Sequence, residues 1–75
     1  MHASLRIIAA NPPNDYSPQE EEKVRSCVAS APGVERLKTI SRHPKGGYSV
    51  TMDHVGEPFD PMFEHIQRNG YLVVF

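Results

Sequence analysis

At Ser17-Pro18 and again at Asp60-Pro61 a residue able to cap a helix is followed at once by proline and then by apolar residues at helical spacing. Proline lacks the N–H that a helix interior needs and has a φ already set for the first helical turn, so each pair marks a helix start. Ser17-Pro18-Gln19-Glu20 adds glutamate three residues after the cap, the capping-box spacing in which hydroxyl and carboxylate satisfy each other's backbone donors. The first helix then carries Val24, Cys27, Val28 and Ala31 on one stripe and stops at Pro32-Gly33. Glu20, Glu21 and Glu22 fall in its first turn, where the helix dipole favours negative charge, and Glu21 is spaced to pair with Arg25. In the second helix Phe59, Met62, Phe63 and Ile66 recur at helical spacing, and Asn69-Gly70 closes it.

The stretches between these helices read as strands. Leu5-Arg6-Ile7-Ile8-Ala9-Ala10 is a short apolar run closed by Asn11-Pro12-Pro13-Asn14-Asp15, which cannot continue a ladder. Residues Val34 to Arg42 alternate imperfectly, a pattern that accommodates a bulge. Pro44-Lys45-Gly46-Gly47 supplies a hairpin turn with two glycines able to take positive φ, and Tyr48 to Asp53 alternates cleanly with Tyr48, Val50 and Met52 inward. Tyr71-Leu72-Val73-Val74-Phe75 is a last, strongly apolar strand. The order is therefore β-α-β-β-α-β. Two right-handed crossovers give an α+β, ferredoxin-like sandwich: a four-stranded antiparallel sheet of order 4-1-3-2 with both helices on one face and strands two and four at the edges. All 75 residues belong to this single domain, and so small a core needs every apolar segment.

Composition narrows the functional classes. Hydrophobic residues are 39% of the chain and charged ones 23%, which suits a folded domain rather than a disordered tail. A formal charge of −1 gives no general pull towards nucleic acid or anionic lipid, and no apolar run approaches the roughly 18–20 residues that span a bilayer. Cys27 stands alone and cannot form an intramolecular disulfide, while Met1-His2-Ala3-Ser4-Leu5-Arg6 has neither a basic leader region nor a long apolar one. The expectation is a cytoplasmic protein without a membrane partner.

Val24 and Val28 on the first helix, Pro32-Gly33-Val34 at the start of strand two, Val50 and Asp53 around strand three, and Ile66 followed by Gly70-Tyr71 form a recognisable pattern. It resembles the heavy-metal-associated domains of copper chaperones and metal-transporting ATPases, and the resemblance implies the same ferredoxin-like fold. That family binds soft metals through a Cys-x-x-Cys pair at the start of helix one. Counting back from Pro32-Gly33-Val34, those positions fall on Ser17 and Glu20, whose hard oxygen groups do not supply paired thiolates. The resemblance thus implies, as an alternative function, a divergent metal or small-ligand carrier, with no cofactor assigned. Cys27 aligns with a core alanine of the family and reads as a small buried hydrophobe.

Other chemistry is weakly supported. His2, His43, His54 and His65 are scattered without paired ligand spacing. Asp53, His54, Asp60 and Glu64 make a catalytic constellation only if the fold brings them together at one end of the sheet. Lys45 to Met52 resembles the strand-three motif of RNA-recognition domains, but its stacking positions fall on Gly47 and Ser49, so nucleic acid is not an expected partner. A phosphate at the first helix would meet Glu20, Glu21 and Glu22, and Pro12-Pro13 removes backbone donors from the loop before it.

The two sheet edges differ most. Arg36, Lys38 and Arg42 put charge on strand two, either as an ordinary guarded edge or as a surface for an acidic partner. Tyr71, Leu72, Val73, Val74 and Phe75 carry neither charge nor proline, the composition that invites strand addition, although a strand this short can also be protected by its length. The expected function is a non-enzymatic interaction module, a homodimer, adaptor or inhibitor that pairs through its last strand. Its partner would be another protein or a second copy.

Overall fold

A computed structural model of the chain describes residues 1–10 and 14–74. Asn11-Pro12-Pro13, the expected stop of strand one, and Phe75, the expected end of the last strand, lie outside the described residues. The elements are β1 (His2–Ala9), α1 (Pro18–Ala29), β2 (Val34–Arg42), β3 (Tyr48–His54), α2 (Asp60–Arg68) and β4 (Tyr71–Val74). They form one antiparallel sheet of order β2-β3-β1-β4, the expected ferredoxin-like order counted from the other edge. No helix among the described residues is long and apolar enough to cross a membrane.

Strand alternation decides where the core lies. Leu5 and Ile7 of β1 and Tyr48, Val50 and Met52 of β3 are buried against Val24, Cys27 and Val28 of α1 and Met62 and Ile66 of α2. Val24, Val50, Met52, Met62 and Ile66 are completely enclosed, and each such side chain contributes roughly 1.5–3 kcal/mol relative to exposure. Among the described residues no helix covers the opposite face of the sheet. β1 begins earlier than its apolar run suggests because His2, Ala3 and Ser4 pair with Asp53, Met52 and Thr51. A ladder partner, rather than hydrophobicity, extends it.

Ser17 caps α1 from an extended backbone, its Oγ accepting the Glu20 N–H at 3.0 Å. The reciprocal half of the expected capping box is replaced. Ser17 donates its own N–H to Asp15 Oδ1 at 2.8 Å, and the Glu20 carboxylate instead accepts from Asn14 Nδ2, Asp15 N, Tyr16 N and the Tyr48 hydroxyl at 3.0–3.2 Å. Tyr16 takes a φ of 56°, which turns this loop back over the helix start and leaves the carboxylate facing several donors at once. Glu20 thereby fastens the β1–α1 connection to β3.

Three further expectations change in detail. Arg25 pairs with Glu22 at 3.8 Å rather than with Glu21, which lines a hollow beside Arg42 and Tyr48; residues three and four apart are both neighbours on a helix. Asp60 is the first residue of α2 and not its cap, since Phe59 already has helical angles (φ −91°, ψ −12°) and no side chain caps this end. β2 carries two register shifts, between Val34 and Arg36 and between Leu37 and Thr39, where a bulge was expected. At the hairpin, a Cβ on Gly47 would overlap the Ile7 carbonyl oxygen, so the turn needs glycine for space as well as for its φ of +76°.

Candidate functional site

β4 is the outer strand next to β1, and its side chains divide between the two faces of the sheet. Tyr71 is 8% exposed in the core and Val73 packs against that core, while Leu72 is 38% exposed on the uncovered face and Val74 is half-buried beside it. Ile8 stands opposite Leu72, and Arg6 opposite Val74. Arg6 is occupied with the hairpin, donating from Nε to the Gly46 carbonyl at 2.9 Å and from Nη2 to the Lys45 carbonyl at 2.7 Å. Ile8, Leu72 and Val74 therefore make an apolar corner on an otherwise polar face of Ser4, Ser49, Thr51 and Asp53.

The phase of the ladder determines which backbone groups face outward. Ala10 donates its N–H to the Gly70 carbonyl at 2.9 Å, which makes Ala10 and Gly70 a hydrogen-bonded pair. Hydrogen-bonded and non-bonded pairs alternate along an antiparallel ladder, so Leu72 and Val74 also turn their backbone towards β1. Tyr71 and Val73 turn theirs to the free side. The same phase runs through the other ladder of β1, where His54 donates to the Met1 carbonyl at 2.7 Å.

The opposite edge is built differently. Its cations are engaged within the molecule: Lys38 Nζ lies 3.2 Å and Arg36 Nη2 3.5 Å from the Asp53 carboxylate. The hydrogen bond from Lys38, aided by the charges of Lys38 and Arg36, holds the Asp53 carboxyl below its ordinary value. Arg42 donates to the Tyr16 carbonyl at 3.1 Å and lies over the Tyr16 ring, 5.0 Å from its centroid. With its two register shifts, β2 presents an irregular and charged margin.

A groove of about 670 Å³ runs between one flank of α1 and the start of β4, lined by Gln19, Lys23, Ser26, Cys27, Asn69 and Tyr71 among others. Burial pushes the Cys27 thiol up and so disfavours the thiolate that a nucleophile requires. Tyr71 is likewise raised, chiefly by burial. Ser30 Oγ and His65 Nε2 lie 3.2 Å apart, but the serine donates its proton to the Ser26 carbonyl at 2.7 Å. With its proton on that carbonyl, the hydroxyl does not hand it to His65 as it would to an activating base.

The fold separates the other candidates. Asp53 faces the uncovered side of the sheet, His54 is buried on the helix side, Asp60 is exposed, and Glu64 pairs with Arg68 at 3.6 Å. A catalytic cluster of these residues does not form. Among the described residues no group of three or more His, Cys, Asp and Glu side chains is placed to hold a metal ion. Ser17 and Glu20 are committed to backbone and tyrosine donors.

Sequence reasoning singled out β4 by composition but missed Ile8 as its apolar neighbour, Glu20 as a tertiary anchor and the α1 groove. The partners of each are distant in sequence, and only strand register supplies them. No protein-family model matches the chain, and comparison with curated proteins and with solved structures finds no match either.

Proposed function

We propose that this protein is a non-enzymatic interaction module that captures a protein partner by adding an extended strand to the free edge of β4. The observation that carries the reading is the contrast between edges. At β4 the outward backbone groups of Tyr71 and Val73 lie on an uncharged strand, whereas β2 is bulged and its cations are held by Asp53 and Tyr16. Main-chain hydrogen bonds would provide affinity, and alternate side chains of the incoming strand would settle beside Tyr71 and Val73 on one face and beside Leu72 and Val74 on the other. The protonated Cys27 and the backbone-bonded Ser30 support binding rather than covalent chemistry in the nearby groove.

Val73→Pro tests the reading because it deletes an outward N–H while leaving the β1 ladder intact. Leu72→Lys is the companion, placing charge at the seam from a side chain that is already exposed. A displayed library of short extended peptides is panned against the unmodified chain and both variants, with folding checked by circular dichroism. Uncharged, β-branched peptides should be recovered by the unmodified chain, and their binding should fall by about tenfold or more in each folded variant, a loss of roughly 1.4 kcal/mol or more. Equal capture by all three proteins would show that the β4 edge is not the binding site.

A further inference from the structure

We infer that the partner of β4 is a second copy of this chain, joined antiparallel about a twofold axis through Leu72 so that two four-stranded sheets become one continuous sheet. This rests on the edge-pairing reading above and adds the occupant and the register.

Backbone polarity narrows the register. Leu72 and Val74 direct their N–H and C=O groups to β1, so the outer side of β4 offers those of Tyr71 and Val73. Residues opposite one another in an antiparallel pair share a face, and a twofold axis relating two copies of β4 must therefore pass through a residue position. With the axis at Leu72, Tyr71 of each copy faces Val73 of the other. Both pairs exchange N–H···O=C bonds in each direction, and all the outward groups of these residues are satisfied. An axis at Val73 would pair that residue with itself, and the side chains decide between the two.

The side chains favour the axis at Leu72. Leu72, 38% exposed, meets Leu72 of the second copy on the uncovered face, with Ile8 beside it on β1 and Val74 further along β4. The apolar corner of one copy then continues into that of the other. A twofold axis also sets every nearby charge against its own kind. On β2 that would oppose Arg36, Lys38 and Arg42 to a second positive set, while Tyr71 to Val74 carry no charge to repel. An acidic or basic peptide finds no counter-ion on β4. An uncharged β-branched strand does fit it, and this chain carries one in β4 itself.

Cross-linking tests both occupant and axis. Opposed Leu72 positions in a non-hydrogen-bonded pair have Cα atoms about 4.5 Å apart, within the roughly 4.4–6.8 Å that a disulfide spans. Copies of Val74 would be displaced by about 14 Å along the strands. Leu72→Cys and Val74→Cys proteins are oxidised separately and together, and the unmodified chain is followed by sedimentation over a concentration series. Cys27, buried at 6% exposure, serves as the internal control in the unmodified protein.

The expected result is a disulfide dimer from Leu72→Cys formed about tenfold faster than from Val74→Cys, together with a concentration-dependent dimer of the unmodified chain that Leu72→Lys weakens about tenfold. Equal cross-linking of the two variants, or a preferred mixed product, overturns the Leu72 axis. A chain that stays monomeric into the millimolar range, with no Leu72→Cys product, overturns the second copy as occupant. Peptides still captured through Val73 would separate that failure from failure of the edge reading.

Discussion

Gly33→Ala should be among the most damaging single-atom additions to this protein, through two causes that a double-mutant cycle can separate. Gly33 sits at a φ of +85°, where an L-residue costs about 1–2 kcal/mol. A Cβ there would lie 2.5 Å from His54 Nε2 and 2.8 Å from Cε1, far inside ordinary contact. The imidazole cannot easily retreat. It is 1% exposed, stacks on Phe59 at 4.6 Å between ring centroids, and accepts the Gly56 N–H at Nδ1 over 3.0 Å. That acceptor role places the ring proton on Nε2, which faces Gly33 and has no hydrogen-bond partner among the described residues. Forcing a methyl group into such a site adds about 1–3 kcal/mol, for a total of about 2–5 kcal/mol. A chain of this length has about 4–11 kcal/mol in all, so the variant should lose a large share of its stability.

The cycle uses His54→Asn as the second substitution. Asparagine can still accept the Gly56 N–H two residues on, as in an Asx turn, but it removes the ring atoms that the new Cβ would meet. In that background Gly33→Ala should cost only the φ term of about 1–2 kcal/mol, leaving a coupling of about 1–3 kcal/mol. Urea unfolding of the four proteins by far-ultraviolet circular dichroism, extrapolated to water, measures it. An equal cost in both backgrounds would show that His54 does not confine Gly33. A cost under about 0.5 kcal/mol in the unmodified protein would refute the φ argument as well.

Two other predictions concern polar groups. Tyr48→Phe removes the hydroxyl that donates to Glu20 at 3.0 Å and should cost about 1–3 kcal/mol in urea melts; Glu20→Gln should cost more, because its amide nitrogen must face one of several donors, and the reverse order would sink the anchor assignment. Stability against pH should form a plateau. Hydrogen bonds from Ser17 hold Asp15 below the ordinary 3.8, and Lys38 holds Asp53 there, so their contribution is present above that value and is lost as pH falls through the folded values beneath it. Burial raises Cys27 above 9.0, and burial with the Glu20 hydrogen bond raises Tyr48 above 10.0, so stability falls once the unfolded groups ionise and the folded ones do not. Melting temperatures that keep rising between pH 9 and 11 would contradict these directions.

Local signals were legible where one short stretch suffices to express them. Pro18 after Ser17, the paired glycines at 46 and 47 and the clean alternation from Tyr48 to Met52 each specify backbone conformation within a few residues, and the structure follows them. The imperfect pattern of β2 likewise anticipated its irregular register. Asp60 misled because a cap depends on the angles of the residue that holds it, and a side chain's identity does not report those angles. Glu21 misled because two acidic residues could reach Arg25 from the same helix.

By itself the sequence determined the order of helices and strands, the inward stripes of α1, α2 and β3 and the uncharged character of Tyr71 to Val74, since all three depend on residue type and near-neighbour spacing. Tertiary structure alone decided that Glu20 would anchor a loop to Tyr48, that His54 would press its Nε2 against Gly33, and that Arg36 and Lys38 would converge on Asp53. It also decided which residues of β4 turn their backbone outward. Composition can mark a strand as willing to pair, but the direction of each N–H and C=O is a matter of ladder phase. Here that phase was set by the bond from Ala10 to Gly70, across a register that joins the two ends of the chain.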